Sequence, residues 1–180
     1  MLAIVPFKGL DGAKTRLAAV LSPEERARLA SEMLERVLVA CEGAVAIERT
    51  LLVTPDPGAV PAGADVLVDS GVGHAQAIAL ALADPRAAAG VLVVMADCPL
   101  VHPASLDALA EAARPLALVR ARDGGVNALA LRDVAAFQPR FGVRAEEMIG
   151  EALAAGLEPA VLDDPALALD VDRPEDLAFA

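Results

Sequence analysis

The sequence predicts a single α/β domain, a Rossmann-like three-layer α/β/α arrangement around a mostly parallel central sheet, and three observations lead there. Apolar, β-branched runs alternate with Ala- and Leu-rich segments of helical period, as βα units with a sheet buried on both faces require. The glycines gather where those runs end, notably Gly9, Gly12, Gly71, Gly73, Gly124 and Gly125, which leaves the irregular backbone to the loops. The length, 180 residues, suits one domain and suffices to bury most of the surface an unfolded chain exposes. Residues 1–180 are therefore expected to share one core.

Each element has its own local reason. Leu2–Phe7 is apolar and reads as the first strand, and the glycine-bearing stretch to Leu17 as the loop after it. Ser22-Pro23-Glu24-Glu25 opens the clearest helix: Ser22 can cap, Pro23 suits the first helical position, and Glu25 completes a capping box. That helix is expected to reach about Ala40. Strands follow at Arg49–Thr54 and Asp65–Val68, then a helix over His74–Ala83 behind Gly71 and Gly73. Val91–Ala96 is an unbroken apolar run and reads as a central buried strand, ahead of a helix over Pro103–Arg114. Strands at Leu116–Ala121 and Asn127–Leu131 flank Gly124-Gly125. The helix Ala145–Ala155 ends at Gly156, a residue suited to a C-terminal cap, and Ala166–Val171 is read as the last strand.

Composition excludes several classes of function. At 56% hydrophobic and 23% charged, the chain is too apolar for disorder and too often interrupted by charge for a membrane protein, and no apolar run approaches a bilayer-spanning length. A net charge of −11 repels a phosphate backbone, and four Phe are the only aromatic residues available for stacking, so no nucleic-acid partner is expected. Cys41 and Cys98 stand far apart with no C-x-x-C spacing, which implies neither a disulfide framework nor a zinc site. No leader-like segment precedes the first strand, and a cytoplasmic location is expected. A homodimer is compatible with all of this, but the sequence does not decide the oligomeric state.

Against 26 acidic residues the chain has 15 basic ones, and three of these, Lys8, Lys14 and Arg16, share the loop after the first strand. Gly9 and Gly12 let that backbone approach a ligand and turn its N–H groups inward, which suits an anion site; an ordinary charged surface loop is the bland alternative. The segment fits neither the P-loop nor the G-x-G-x-x-G pattern. The stretch Val5-Pro6-Phe7-Lys8 through Gly12-Ala13-Lys14-Thr15-Arg16-Leu17, with Leu21–Arg26, resembles the opening of the 2-phospho-L-lactate or phosphoenolpyruvate guanylyltransferases of coenzyme F420 biosynthesis. Asp69–Gly73, Ala96-Asp97-Cys98-Pro99-Leu100, Val126–Leu129, Phe141-Gly142 and Asp170–Leu177 continue the resemblance in order over nearly the whole chain. It implies a nucleotide-diphospho-sugar-transferase (GT-A) type of fold.

Asp97 ends the central apolar run, where a carboxylate faces the ligand crevice of an α/β sheet; Mg²⁺ is commonly held by one or two carboxylates together with substrate phosphates. An Asx turn or a cap for the helix near Pro103 is the competing role. Asp170 and Asp172 flank Val171, and if the predicted strand runs through them both carboxylates share one face. Asp172 equally fits a helix N-cap with Glu175 three residues on, so cap and ligand both stay open. The resemblance places Asp97, Asp170 and Asp172 at the family's metal positions, with Mg²⁺ as the expected cofactor.

The loop Asp69–Gly73 and Gln76 would, by the same resemblance, face a guanine, with Pro6, Gly9 and Thr54 also on the nucleotide side; a glycine-rich turn of no specificity is the alternative. His74 and His102 are isolated and are read as structural. Val126, Asn127, Gly142 and Ala145 correspond to the acceptor-binding segments. There the chain departs from the family, with Val126 where a hydroxyl residue usually precedes the Asn and Ala145 where a Ser is usual. Each loses a hydrogen bond to an anion, and Arg122 and Arg144 are near enough in sequence to compensate. The resemblance thus implies guanylyl transfer from GTP to 2-phospho-L-lactate, phosphoenolpyruvate or 3-phosphoglycerate, with Lys8, Lys14, Arg16 and Asp97 in the catalytic role. A nucleotidyltransferase of the molybdenum-cofactor type and a non-catalytic nucleotide-binding protein are the alternatives.

Overall fold

The structure is a computed structural model that describes residues 1–60 and 65–179. Among the described residues seven strands form one sheet: β1 (Leu2–Pro6), β2 (Arg49–Thr54), β3 (Asp65–Val68), β4 (Val91–Val94), β5 (Leu116–Arg120), β6 (Val126–Leu131) and β7 (Ala160–Leu162). Their order is β3-β2-β1-β4-β6-β5-β7. β6 pairs antiparallel with both its neighbours, and the other pairings are parallel.

The strand residues alternate between two buried clusters, which shows directly why the strands are apolar throughout. Ala3, Val5, Leu52, Leu92 and Val94 face one side with α1 (Pro23–Gly43) and α3 (Pro103–Ala112). Leu2, Ile4, Leu51, Val91 and Val93 face the other with α2 (His74–Leu82) and α4 (Ala145–Ala154). Side chains of a strand point alternately to its two faces, so a sheet covered on both faces needs an apolar residue at every position. The capping box of α1 is present as predicted: Ser22 Oγ accepts from the Glu25 N–H at 3.2 Å, and Glu25 Oε2 accepts from the Ser22 N–H at 2.8 Å. Among the described residues no helix is long and apolar enough to cross a membrane.

One predicted element is wrong. The segment Ala166–Val171 is no strand; Pro165–Ala168 is a one-turn helix, α5, and the chain then runs on outside the sheet. Asp164 explains the difference, because its Oδ1 accepts from the Ala166 and Leu167 N–H groups at 2.9 and 3.1 Å while Pro165 takes the first helical position. The edge strand comes earlier, as the three residues of β7, half exposed and too short for a periodic signal.

A third, smaller cluster lies apart from the two that cover the sheet. Leu17, Met33 and Val171 are each no more than 1% exposed and pack together, rimmed by Leu21, Leu29 and Leu177. It joins the first loop, helix α1 and the C-terminal segment.

Candidate active site

After β1 the chain passes to β2 and β3 on one side, and β4 returns to the other side of β1. In open α/β sheets the crevice at such a reversal is where ligands bind. A cleft of ≈ 470 Å³ lies there, lined by Pro6, Lys8, Gly9, Lys14, Arg16, His74, Asp97, Asn127, Asp170 and Asp172, among others. Its volume falls within the range of small-molecule sites.

The loop after β1 is held in shape from several directions. Gly9, at φ +90°, passes so close to the β2–β3 connection that a Cβ there would lie 3.2 Å from Asp56 Cβ. Arg26, reaching out of α1, donates to the Ala13 carbonyl at 2.9 Å, and the Leu17 N–H donates to the Lys14 carbonyl at the same distance. Lys14 itself has φ 49° and ψ 47°, the only positive φ at a non-glycine among the described residues. A left-handed residue with a Cβ costs about 1–2 kcal/mol, so its surroundings must hold it there.

What holds Lys14 is a pair of carboxylates. Its ammonium donates to Asp97 Oδ2 at 2.6 Å and to Asp172 Oδ1 at 3.0 Å, and its side chain is only 10% exposed. Arg16 donates to the second oxygen of Asp172 at 2.8 Å. Burial opposes the charge on Lys14, but Asp97 and Asp172 outweigh it and lift its pKa above the ordinary lysine value. Burial likewise opposes ionisation of Asp172, and Lys14 and Arg16 reverse the balance and hold its pKa below the usual carboxylate range. Asp170 goes the other way: burial first, and then the like charges of Asp97, Asp172 and Asp123, raise its pKa despite a 3.0 Å bond from Asn127 Nδ2.

One carboxylate oxygen from each of Asp97, Asp170 and Asp172 lies within 4.8 Å of the others. The Val171 N–H donates to the Asp97 carbonyl at 3.1 Å, which fixes the C-terminal segment against the end of β4, and the Val171 side chain turns away into the third cluster. Asp170 and Asp172 therefore share a side, as expected, although the segment is not a strand. The Asp172 carboxylate is engaged by Lys14 and Arg16 and not by a helical N–H, and the contact made at this turn is the reverse one, Asp176 Oδ2 accepting from the Asp172 and Arg173 N–H groups at 3.2 and 2.8 Å. His102, not Asp97, caps α3, its Nδ1 accepting from the Ser105 N–H at 3.2 Å. Three hard oxygen donors converging on one point suit a divalent cation such as Mg²⁺.

A separate pocket of only ≈ 10 Å³, which shares Phe7, Lys8 and His74 with the cleft lining, is lined also by Asp69, Gly71 and Gly73. Asp69 Oδ1 is buried there without a hydrogen-bond partner. Thr54 is buried at the end of β2, its hydroxyl accepting from the Asp56 N–H, and Gln76 is exposed on α2; neither lines the cleft or the small pocket. Of the acceptor candidates, Asn127 alone lines the cleft. Val126 and Ala145 belong to the second core cluster, and Gly142 lies in the turn before α4. Arg122 lies over the Phe179 ring at 5.1 Å, and Arg144 lies over Gly124, where a Cβ would clash with its guanidinium. The residue that sequence reasoning missed is His74, which lines both spaces and whose pKa is lowered by burial and by Lys8. Its position directly after Gly73, at the start of a helix, was the available signal.

Comparison with known proteins identifies the family and the fold. The family described as guanylyl transferase CofC like matches residues 1–179. The chain is similar to a phosphoenolpyruvate guanylyltransferase of Sphaerobacter thermophilus, 38% identical over 98% of this chain and 90% of the relative. A 3-phospho-D-glycerate guanylyltransferase of Phenylobacterium zucineum is 38% identical over 97% and 86%, and a 2-phospho-L-lactate guanylyltransferase of Methanoregula boonei 34% over 97% and 79%. Among solved structures, a Desulfovibrio desulfuricans protein provisionally described as a nucleotide-diphospho-sugar transferase shares the fold at TM-score 0.81 and 18% identity, covering 98% of this chain and 84% of that one. A Mycobacterium tuberculosis protein solved with manganese does so at TM-score 0.58 and 20% identity, over 99% and 96%.

Proposed function

We propose that this chain, which belongs to the CofC-like guanylyl transferase family, moves GMP from GTP to a small phosphorylated acid and releases pyrophosphate, in coenzyme F420 biosynthesis. The observation that carries this is the meeting of Lys14 and Arg16 with Asp97 and Asp172 in one cleft, Asp170 beside them. Cations suited to a triphosphate and carboxylates suited to a metal are thus within one ligand's length.

The transfer asks little covalent chemistry of the protein. A phosphate oxygen of the acceptor bonds to the α-phosphorus as the bond to pyrophosphate breaks, and that oxygen is already ionised near pH 7, so no general base is needed. Positioning and charge neutralisation remain. Lys8, Lys14 and Arg16 would hold the β- and γ-phosphates that leave, and Asn127 would orient Asp170. A divalent cation, for which we take Mg²⁺, would be held by Asp97, Asp170 and Asp172 and would neutralise charge on the reacting phosphates. The base would lie on the Gly71 and Gly73 side of the cleft, and since the ≈ 10 Å³ pocket there has no room for a purine, contact between the buried Asp69 carboxylate and the ring N–H and amino group of guanine would require the glycine loop to open.

The acceptor is phosphoenolpyruvate, 3-phosphoglycerate or 2-phospho-L-lactate, the acids named for the relatives. Because Val126 and Ala145 are buried in the core, their lack of a hydroxyl removes no donor from the cleft lining itself. The test is pyrophosphate release from GTP with each acid in turn. Release should require both Mg²⁺ and acceptor, and Asp97→Asn should lower it at least about a hundredfold. Normal turnover by Asp97→Asn would refute the metal assignment. GTP binding without pyrophosphate release from any acid would favour a non-catalytic binding protein, and a pterin-type acceptor the molybdenum-cofactor class.

A further inference from the structure

We propose that Lys14 is an exchangeable internal cation: its ammonium neutralises Asp97 and Asp172 until the phosphates of a nucleotide draw it away, and only then do the three carboxylates bind a divalent cation at full strength. Metal and nucleotide binding are thereby coupled through one side chain. The inference rests on the cleft being a metal and nucleotide site, and it adds an order of events to it.

The geometry sets up a competition. The oxygens that Lys14 engages, at 2.6 and 3.0 Å, belong to two of the three carboxylates that converge within 4.8 Å. An ammonium already in the midst of these oxygens and a dication cannot both be there. Asp170 stays outside the lysine's reach and is held by Asn127 instead, so displacement of Lys14 completes the set without moving the third member. Lys14 can exchange partners without its loop moving. The loop is held by Arg26 on the Ala13 carbonyl and by the Leu17 N–H on the Lys14 carbonyl, and rotation along the flexible four-carbon side chain alone re-aims the ammonium from the carboxylates to a bound phosphate. A triphosphate offers replacement oxygens of higher charge. Arg16, 66% exposed at its side chain, touches only the outer oxygen of Asp172 and has no such place between carboxylates.

Linkage makes the consequence reciprocal: if nucleotide strengthens metal binding by removing Lys14, metal strengthens nucleotide binding by the same factor. The experiment measures Mn²⁺ binding from the spectrum of the free ion, with and without a non-hydrolysable GTP analogue, the analogue's own affinity for Mn²⁺ being subtracted. Lys14→Met and Lys14→Gly both remove the ammonium, and glycine accepts the left-handed backbone, so one of them stays folded if the other does not. Each should bind Mn²⁺ about tenfold more tightly than wild type without nucleotide and lose most of the strengthening that the analogue confers on wild type. Arg16→Met removes the same charge from the same cleft and should gain far less. Lys14 variants that bind Mn²⁺ no better than Arg16→Met, while Asp97→Asn loses it, would overturn the exchange and leave the proposed function standing. Mn²⁺ that binds none of the proteins, with or without analogue, would remove the exchange and the metal site together.

Discussion

Leu17→Ala should damage stability and turnover together. Leu17 is fully buried against Met33 and Val171, and its N–H holds the Lys14 carbonyl at 2.9 Å. Removing a buried leucine's outer carbons costs about 2–5 kcal/mol, depending on how far the surroundings close in. Here the cluster is small and rimmed by partly buried leucines that can relax, which places the cost near the lower end, about 2–3 kcal/mol. For a domain of this size that lowers Tm by about 5–10 °C. The same cluster fixes the Lys14 and Arg16 loop against the segment bearing Asp170 and Asp172, and a displacement of about 1 Å among such groups can cost about a hundredfold in kcat. Thermal unfolding and pyrophosphate release, assayed well below both melting transitions, measure the two effects. Leu109→Ala is the control: Leu109 is as fully buried, on α3 away from the cleft, and should lose stability at least as much with kcat intact. If both variants keep the wild-type kcat, the third cluster is packing alone and its role in assembling the cleft is refuted.

Asp170→Asn should stabilise the metal-free protein, because burial and the neighbouring carboxylates raise the Asp170 pKa in the folded state and so penalise its charge at neutral pH. That penalty is absent below the unfolded value of 3.8 and complete above the raised one; a melting scan in EDTA should show the gain, with any stabilisation by Mg²⁺ lost, and an unchanged or lower Tm would contradict it. Burial pushes the Cys41 thiol up to about 12 and the Cys98 thiol well above its ordinary value of 9.0. The contribution of Cys41 to stability is therefore full below pH 9.0 and is lost as pH rises toward about 12, that of Cys98 is likewise lost only as pH rises well above 9.0, and neither thiol should react with a thiol reagent at pH 8 until denaturant is added; rapid native labelling would count against this burial. Arg122→Ala and Arg144→Ala should change the acceptor KM by no more than about twofold, since neither guanidinium lines the cleft; a tenfold rise in either would restore a direct role in acceptor binding.

How much of this was legible in the sequence depends on the range over which each signal acts. The capping box at Ser22 and Glu25 and the doubly buried strands are local, and both were read correctly. The last strand misled for an instructive reason: its alternation is real, with Leu167, Leu169 and Val171 all fully buried, but it belongs to a helical turn and an extended segment packed beside the sheet. Burial produces a period of two wherever chain lies extended against a core, with or without ladder hydrogen bonds. The face shared by Asp170 and Asp172 thus survived the error, since it needs only the buried Val171 between them.

The charges are a different matter. Lys14 meets Asp97 from 83 residues away and Asp172 from 158, and no local pattern states that a lysine suited to phosphates will lie on carboxylates. Residue types marked the three segments; which charge neutralises which was decided by the apolar contact of Leu17 with Val171, two residues whose chemistry is mute. The same holds for Val126 and Ala145, which look like lost ligands in sequence and are core residues in space. Where a site is assembled from the two ends and the middle of a chain, its polar residues can be nominated from sequence. Their pairing follows from packing, and it is the pairing that sets whether a dication or a lysine sits among the aspartates.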